Sequence, residues 1–390
     1  MARTTVLIPN YNGIDYIEAC IESVMAASEA AATPASANLG KGAGASTTAS
    51  PASREEPYPI IVVDNGSCDG SREVIEAHIS GDALPVYEHV LLIPLSENTG
   101  FSNAVNVGLE HVKTPYVFLL NNDTTIRSGA ISALERRMDS NERIFSAQSR
   151  ILDMHKSRPA SAQPASTSTS TSTSTETEPS DDMHGDISGD ILDDCGDLYC
   201  ALGWAFTPGK GKPSEAYDRP CSVFACCGAA VMYRMSMFED TGVFDEEHFA
   251  YLEDIDLGYR ARIMGYKNVY EPASEILHAG SAVSGSRHNR FKVNLSAQNS
   301  VYIIYKNMPL VQFLINLPLL LIGFIVKALF FSVKLMGFTY LRGLIRGFGL
   351  IGRDIKNGHR HKVWFRPRNL GHYLLIQMEL WVNTVRRFAG

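Results

Sequence analysis

Four short apolar runs, separated by segments with helical character, constrain the fold of this 390-residue chain more than any other feature. The runs lie at residues 4–9, 60–63, 86–94 and 116–120. They lack the alternation of polar side chains that marks a strand with one wet face, and they are typical of strands buried on both sides of a parallel sheet. Helices are predicted between them over residues 14–25, 71–79 and 102–111, the second capped by Ser71. The first half is therefore predicted to be an α/β unit with a doubly wound, mostly parallel sheet.

Two segments of low complexity interrupt this pattern. Residues from about 26 to 57 are rich in Ala, Ser, Thr and Gly, and residues 157–181 contain a Ser-Thr repeat. Neither segment can bury enough apolar surface to offset its ordering entropy, so both are predicted to be disordered surface insertions. Residues 1–300 are predicted to form the α/β domain, and residues 301–390 a helical appendage that is first apolar and then basic.

Polar residues follow three of the four predicted strands at the point where each strand ends. The three stretches read Asn10-Tyr11-Asn12-Gly13, Asp64-Asn65-Gly66-Ser67 and Asn121-Asn122-Asp123-Thr124. Ligands of open α/β sheets bind at the carboxyl ends of the strands. The three stretches are therefore predicted to line one polar crevice.

Individual carboxylates in these loops allow two interpretations each. Asp64 and Asp69 offer hydrogen-bond acceptors to a base or ribose, and they equally suit an Asx turn before a helix. Asp123 at a strand end suits a hard divalent cation, which proteins hold with one or two carboxylates plus substrate phosphate. Asp123 equally suits a helix N-cap, and the local sequence does not decide between these two roles.

Three acids crowd the segment from 249 to 258, where Glu253, Asp254 and Asp256 follow two aromatic residues. Acids are favoured at a helix N-terminus by the dipole, which would explain them without any chemistry. The aromatic flank instead favours a general base whose pKa is set by its neighbours. Farther along, His278 after a predicted strand over 274–277 is either a metal ligand or an ordinary hydrogen-bonded loop residue.

Charge is distributed unevenly along the chain. The formal net charge is −7, but residues 327–390 hold twelve Lys or Arg against two acids, so this tail carries +10 and the remainder −17. A basic tail after an apolar run favours an anionic membrane surface and argues against nucleic acid as a partner.

The apolar run itself spans residues 307–326, which include no charged side chain. Its length reaches the threshold for a membrane span. Because Gln312, Asn316 and Pro318 interrupt it, helices lying in the membrane interface are favoured over a span. A packed helical appendage of a soluble dimer is the remaining alternative, and the oligomeric state is left open.

The start of the chain has no apolar stretch of signal-peptide length, so the body is expected in the cytosol. Seven cysteines at irregular spacing suit a reducing compartment. A zinc site built from Cys195, Cys200, Cys226 and Cys227 is a minor alternative, because their spacing matches no familiar zinc pattern.

Five stretches together resemble family 2 of the inverting glycosyltransferases, which have the GT-A fold, and within it the rhamnosyltransferase-like members of surface polysaccharide pathways. The stretches cover residues 6–13, 61–71, 98–109, 119–124 and 227–280. Their order and spacing are those of the family once the two insertions are excised. The resemblance implies transfer of a sugar from a nucleotide-sugar donor to an acceptor hydroxyl, with Mg²⁺ or Mn²⁺ as cofactor. It also implies a glycan or lipid-linked glycan as acceptor, at the cytoplasmic face of the cell membrane.

The resemblance assigns roles to residues of this sequence. Asp254 is implied to be the catalytic base, with Glu253 and Asp256 beside it. Asp123 and His278 are implied to hold the metal, and Asn121 stands where the family's Asp-x-Asp motif begins with an acid. Donor contacts are implied for Pro9, Tyr11, Asn12, Asp64, Asn65, Asn98, Gly100, Asn103 and Asn121. Acceptor contacts are implied for Trp204, Gly228 and Ala229.

Two other functions compete with this one. A sugar nucleotidyltransferase shares the sheet design but needs a Gly- and Arg-rich phosphate loop after the first strand, which residues 9–13 do not provide. A non-catalytic membrane scaffold with a degenerate domain would have little reason to keep Asp64, Asp123, Asp254 and Asp256.

Overall fold

The computed structural model describes residues 2–32, 56–158, 189–280 and 289–389. Its strands are β1 (Thr4–Asn10), β2 (Ile60–Asp64), β3 (Val90–Pro94), β4 (Tyr116–Leu120), β5 (Thr124–Ile126), β6 (Ile144–Asp153), β7 (Leu192–Asp194), β8 (Leu198–Tyr199), β9 (Ala205–Phe206), β10 (Cys221–Val223), β11 (Ala230–Arg234) and β12 (Lys267–His278). Its α-helices are α1 (Ile17–Ala32), α2 (Ser71–Ser80), α3 (Phe101–Leu109), α4 (Ala130–Asp139), α5 (Phe238–Thr241), α6 (Glu253–Ile263), α7 (Arg290–Asn307), α8 (Leu310–Val333), α9 (Gly337–Lys356) and α10 (Leu370–Ala389).

Within these ranges the strands form a ten-stranded mixed sheet of order β10-β12-β6-β11-β4-β1-β2-β3, with β5 beside β12 and β7 beside β6. Strands β3, β2, β1 and β4 run parallel, as predicted. Along β1, Val6 and Ile8 pack into the core that contains α1 and α4, whereas Leu7 packs into the core that contains α3 and α6. Burial on both faces explains why the strand is continuously apolar, and the predicted α/β class is confirmed.

Several predicted element boundaries were wrong by a few residues. Helix α1 starts at Ile17 and runs to Ala32, into the segment predicted as the first insertion. Strand β3 starts only at Val90 because it is the edge strand of the sheet, where Leu91 is 46% exposed. The N-cap of α2 is the left-handed Gly70, and the Ser71 hydroxyl donates instead to Asp69.

Both predicted insertions fall largely outside the described residues. Of the first, residues 33–55 are outside, and of the second, all residues beyond 158 are outside. The prediction that these segments are disordered therefore stays a prediction.

The C-terminal helices pack on the α/β part through α6 and α7. Their shared core joins Ile255 and Tyr259 of α6 to Ile303 of α7, Leu320 of α8 and Ile376 of α10. The predicted boundary at residue 300 lies inside α7. We therefore propose that the helical appendage starts after Asn307, with α7 serving both parts.

Helix α9 approaches α7 closely along a stripe of glycines. A Cβ atom at Gly343 would lie 2.4 Å from the carbonyl oxygen of Asn294, and one at Gly347 would lie 2.6 Å from that of Gln298. The buried positions of α9 repeat every three or four residues, so one face is fixed on α7 and the others remain outside.

Candidate active site

A cleft of about 760 Å³ opens at the carboxyl ends of β1, β2 and β4. We call it the strand-end cleft. Its lining includes eleven of the residues predicted for the site: Pro9, Tyr11, Asn65, Asn98, Asn121, Asp123, Gly228, Ala229, Glu253, Asp254 and His278. The predicted crevice thus exists, and residues from widely separated parts of the sequence meet in it. Six predicted residues lie outside its lining: Asn12, Asp64, Gly100, Asn103, Trp204 and Asp256.

A ladder of side-chain amides joins the three polar loops along the floor of the cleft. The Asn10 amide donates to Asp64 Oδ1 at 3.0 Å, and the Asn122 amide donates to Asn10 Oδ1 at 2.8 Å. On the neighbouring loop, the Asn65 amide donates to Asn98 Oδ1 at 3.1 Å. Because these groups are buried and mutually bonded, the three strand ends are held in one fixed arrangement.

Asp64 belongs to this supporting layer and does not reach the cleft surface. Its side chain is fully buried, and its Oδ2 accepts from Arg72 Nε at 2.8 Å and Arg72 Nη2 at 2.6 Å. Two charge-assisted hydrogen bonds to one buried carboxylate oxygen fix both partners. The structure thus places Asp64 where it supports the loop 65–70 after β2, whereas the resemblance implied a direct contact with base or ribose.

Three other predicted donor residues, Asn12, Gly100 and Asn103, also lie outside the lining of the cleft. Asn12 accepts through Oδ1 from the Cys68 backbone N–H at 2.9 Å, and Asn103 accepts from the Thr99 hydroxyl at 2.9 Å. At Gly100 the backbone has φ 92°, and a Cβ there would lie 2.7 Å from the carbonyl oxygen of Phe249. Glycine at this position lets the loop 95–100 touch the segment 249–252, which precedes the acids of α6.

The two residues predicted to hold a metal lie side by side at one end of the cleft. His278 Nε2 is 3.3 Å from Asp123 Oδ1, because β5 pairs with β12 and sets Thr124 opposite His278. His278 Nδ1 is 2.8 Å from Asp193 Oδ2. Burial opposes a charge on this imidazole, but the hydrogen bonds to Asp123 and Asp193 raise the pKa of His278 to about 9.

This donor set fits a divalent cation. When a cation displaces the proton on Nε2, His278 keeps its Nδ1–H on Asp193 and presents Nε2 toward the same point as the Asp123 carboxylate. A carboxylate on the far nitrogen of a ligating histidine is the usual orienting partner at metal sites. Oxygen with one imidazole nitrogen suits Mn²⁺ and is acceptable to Mg²⁺ when substrate phosphate completes the shell. No sequence motif pointed to Asp193, since it lies beyond the second low-complexity segment.

Two further groups of side chains in the described ranges are close enough to share an ion. In the group of Asp245, His248 and Asp256, the Lys306 ammonium already lies 2.6 Å from Asp245 Oδ2 and 2.8 Å from Asp256 Oδ2. The other group is Asp194, Asp197 and Cys227, where the Thr207 hydroxyl lies 2.8 Å from each carboxylate. Neither group contains more than one cysteine, so neither supports the zinc alternative.

The loop 249–252, which immediately precedes the acids of α6, has strained backbone, and we call it the strained loop. Phe249, Tyr251 and Leu252 have φ values of 60°, 69° and 68°, a region that costs a residue with a side chain roughly 1–2 kcal/mol. The Asn299 amide nitrogen on α7 lies 2.9, 3.0 and 2.7 Å from the carbonyl oxygens of His248, Ala250 and Tyr251. One buried amide therefore holds the loop in shape, and α6 begins directly after it.

The three acids of α6 separate into two environments. Glu253 and Asp254 line the strand-end cleft. Burial, together with the neighbouring charges of Glu253 and Asp194, raises the pKa of Asp254 to about 8. Burial also raises the pKa of Glu253 to about 7. Such pKa values near neutrality are those a general base requires.

Asp256 points away from the cleft, because two residues along a helix turn the side chain by about 200°. It is fully buried and accepts from Arg260 Nη2 at 2.7 Å, Lys306 Nζ at 2.8 Å and Asn307 Nδ2 at 2.7 Å. Although burial opposes ionisation, Arg260 and Lys306 hold the pKa of Asp256 well below its usual range. Asp256 thus anchors α6 to α7 and does not reach a substrate in the cleft.

The predicted acceptor residues also separate. Gly228 and Ala229 line the cleft before β11. Trp204 instead packs against α8, where its Nε1 donates to the Gly323 carbonyl at 3.2 Å and the Lys327 ammonium lies 5.6 Å from its ring centroid. In its place α7 supplies Phe291, Lys292 and Ser296 to the lining, which the sequence motifs did not indicate.

Comparison with known proteins gives a consistent set of relatives. The family model described as glycosyl transferase family 2 matches residues 5–242. The N-acetylglucosaminyl-diphospho-decaprenol L-rhamnosyltransferase of Mycobacterium tuberculosis is 27% identical over 237 residues, which are 57% of this chain and 67% of that protein. The teichoic acid poly(glycerol phosphate) polymerase of Staphylococcus epidermidis is 27% identical over 133 residues, 34% of this chain and 14% of its own length. Among solved structures, the mannosyltransferase PcManGT of Pyrobaculum calidifontis, in complex with GDP-Man and Mn²⁺, superposes with a TM-score of 0.47 at 13% identity, covering 89% of this chain and 87% of that one.

Proposed function

The chain belongs to glycosyltransferase family 2, and from that membership we propose that it moves a sugar from a nucleoside-diphosphate donor to a hydroxyl of a lipid-linked glycan, inverting the anomeric centre. One observation carries the proposal: a carboxylate with a raised pKa, Asp254, faces the same cleft as the Asp123–His278 pair. A base and a leaving-group site that face one cleft are what displacement at the anomeric carbon requires, and Asp254 lines this cleft from the first turn of α6. The sheet and its C-terminal helices agree with the GT-A fold expected of the family.

In this mechanism Asp254 accepts the proton of the acceptor hydroxyl while the hydroxyl oxygen attacks the anomeric carbon. The bond from that carbon to the diphosphate oxygen breaks in the same displacement, so the configuration inverts. A positioned base of this kind contributes roughly 10²- to 10⁴-fold. Two residues position Asp254 without touching the substrate. Asn299 does so by holding the strained loop, and Asp256 by anchoring the first turn of α6 to α7.

Asp123 and His278 would hold Mg²⁺ or Mn²⁺, which supplies stabilisation of the negative charge on the departing diphosphate. Tyr11, Asn65, Asn98 and Asn121 line the same cleft and would contact the donor. The donor class is consistent with that of the mycobacterial relative, an L-rhamnosyltransferase.

A membrane-bound acceptor is supported by the surface of the C-terminal helices. One helix, Leu310–Val333, is long and apolar enough by composition to cross a membrane, with a mean hydropathy of 2.3 in its most apolar window. Its buried side carries Gln312 and Asn316, which bond to Tyr259 and Gln377 of neighbouring helices. Since protein covers this polar side, we propose that the helices lie in the cytoplasmic membrane interface with their apolar side chains inserted.

The inserted surface would be built from side chains on three helices and the segment before α10. They include Leu310, Val311, Leu329, Val333, Phe338, Ile345, Phe348, Trp364, Leu374, Trp381, Val385 and Phe388, each between 47% and 84% exposed. An apolar surface of this extent marks an interaction site in a folded protein. The mycobacterial relative, whose name specifies a decaprenol-linked substrate, supports a lipid as the partner.

The reaction is tested by release of free nucleoside diphosphate from a panel of nucleotide sugars that includes activated L-rhamnose, with crude lipid-linked glycan as acceptor. We expect one donor to react, and only with Mn²⁺ or Mg²⁺ present. Asp123→Asn should raise the metal concentration needed for half-maximal activity, because one of the two protein ligands is lost. No release from any donor, with folded protein in membrane lipid and acceptor present, would favour the non-catalytic scaffold.

Membrane binding is tested by sedimentation with vesicles of phosphatidylglycerol or phosphatidylcholine. We expect preference for phosphatidylglycerol, and a loss of at least about tenfold in vesicle affinity for a variant carrying Ile345→Glu and Phe348→Glu, because burying each side chain is worth about 1.5–3 kcal/mol. Ile79→Glu on α2 is the control, since Ile79 is exposed but lies on the α/β part. Equal losses in both variants would contradict the proposal.

A further inference from the structure

A second cavity of about 1050 Å³ lies behind the strained loop, between the segment 241–249, helices α7 and α9, and the turn at 360–363. We call it the arginine cavity. Its charged and imidazole side chains are Asp245, Glu246, Glu247, Arg260, Lys306, Arg346, Arg353, Arg360 and His361. Three of its cations, Arg346, Arg353 and Arg360, have no part in the proposed reaction.

Most of these charges are already paired. Lys306 is bonded to Asp245 and Asp256, Arg260 to Asp256, and Arg353 to Glu247 at 2.8 Å. In the part of the chain that the structure describes, Arg346 and Arg360 have no carboxylate partner. Glu246 accepts from the Asn106 amide at 3.0 Å and is the one lining acid without a cation. Two guanidinium groups are therefore available to an anion.

The arginine cavity meets the strand-end cleft at Phe291, which lines both. The strained loop forms the wall between them, since Phe249 lines the cavity and Tyr251 lines the cleft. Both rings pack edge-on against Phe291, with centroids 6.2 and 6.3 Å away. Because Phe291 is 54% exposed, a ligand held in the cavity can cross its outer face and enter the cleft that Asp254 lines.

Helix α9 links the cavity to the apolar surface. Its glycine stripe faces α7, while Arg346, Gly349 and Arg353 lie along the cavity, one turn apart. Its remaining side exposes Leu341, Ile345 and Phe348. An anion-binding surface and an apolar surface therefore run side by side along one helix, an arrangement that suits an amphiphile with a phosphate headgroup.

We propose that the arginine cavity binds the phosphate-bearing headgroup of the lipid-linked acceptor, with Arg346 and Arg360 on the phosphate oxygens and the hydrocarbon chain along the exposed side of α9. The sugar end of the acceptor then passes Phe291 and reaches Asp254. This assignment rests on the proposed function, which it deepens by giving the acceptor its own anion site, separate from that of the donor diphosphate.

The test measures binding of farnesyl diphosphate to the full-length protein by calorimetry, in EDTA so that no metal contributes. We expect affinity to fall at least tenfold in the double variant Arg346→Gln, Arg360→Gln, because two charge-assisted contacts are lost. Each of the two single variants is compared with Arg342→Gln, which likewise removes one positive charge but from a position on α9 outside the cavity. Inorganic pyrophosphate should show the same dependence more weakly, and farnesol none.

Unchanged farnesyl diphosphate affinity in the double variant would overturn the proposal, and so would an equal loss in Arg342→Gln, which would indicate general attraction to basic residues. Binding of phosphatidylglycerol vesicles that falls only in the double variant, with farnesyl diphosphate unaffected, would assign the site to bulk lipid instead. None of these measurements uses a sugar donor. Failure of the donor panel would therefore remove the proposed reaction without deciding this site, and the reverse also holds.

Discussion

Asp254→Asn is expected to lower kcat by about 10²- to 10⁴-fold, the usual contribution of a general base. The amide cannot accept the proton of the attacking hydroxyl, yet it has nearly the same shape and keeps the cleft intact. Donor affinity should change little, because Asp254 makes no hydrogen bond to the ladder of amides that joins the ends of β1, β2 and β4. Steady-state rates with the donor identified by the panel give kcat, and donor titration of the variant gives the binding constant.

The matched variant is Glu253→Gln, because Glu253 is the adjacent acid in the same cleft. It should retain far more activity than Asp254→Asn. A rate within tenfold of the wild type for Asp254→Asn would remove Asp254 as the base, and a larger loss in Glu253→Gln would transfer the role to Glu253.

The pH profile gives the same assignment a second readout. Burial, then the charge of Glu253, raise the pKa of Asp254 to about 8, so its basic form is a minority at neutral pH and grows as pH rises. The rate of the wild type should therefore increase with pH through this range. Because Glu253 is one cause of the raised pKa, Glu253→Gln should move the rising limb to lower pH. A rate independent of pH between about 6 and 9 would contradict a titrating base here.

The sheet could be predicted because burial on both faces leaves a direct mark on composition. Continuous apolar runs gave β1, β2 and β4 nearly to the residue. Edge strand β3 was placed too early, because its partly exposed side chains carry less of that mark. The end of α1 was missed because its last turns are Ala-rich, and the same composition describes a good helix and a low-complexity segment.

The motifs pointed to side chains of the cleft at two kinds of position: Asp123 at the end of a buried strand, and Asp254 in the acid-rich first turn of a helix. The site was less predictable where the direction of a side chain decides the role. Asp256 lies two positions from Asp254, and helical geometry alone turns it into the interior. Trp204 directly precedes two residues that line the cleft, Ala205 and Phe206, yet its own ring packs against α8.

Residues contributed by distant elements left no local signal at all. Asn299 and Phe291 belong to α7, whose sequence reads as an ordinary buried helix. Their roles follow only from the packing of α7 on the strained loop. Asp193 likewise gains its role from the pairing of β6, β7 and β12, which brings it to His278 across a long gap in sequence.

Lys306, also on α7, is expected to contribute strongly to the free energy of unfolding. Its ammonium is 5% exposed and lies between Asp245 and Asp256, so it neutralises two buried carboxylates that come from different segments. Lys306→Met should destabilise the fold by about 3–5 kcal/mol, because removing one partner leaves buried charge uncompensated. The urea midpoint of unfolding, at constant slope, measures this change. Activity should fall too, since α6 loses its tie to α7.

Two comparisons separate loss of pairing from loss of packing. Lys334→Met removes a lysine at the end of α8, outside this network, and should leave the midpoint within about 0.5 kcal/mol of the wild type. Adding Asp245→Asn to Lys306→Met removes one of the stranded charges and should recover part of the stability, because a buried neutral amide costs less than an unpaired carboxylate. If the double variant is no more stable than Lys306→Met, the ammonium acts by filling space, and the buried charges would not explain how α7 fixes the catalytic helix.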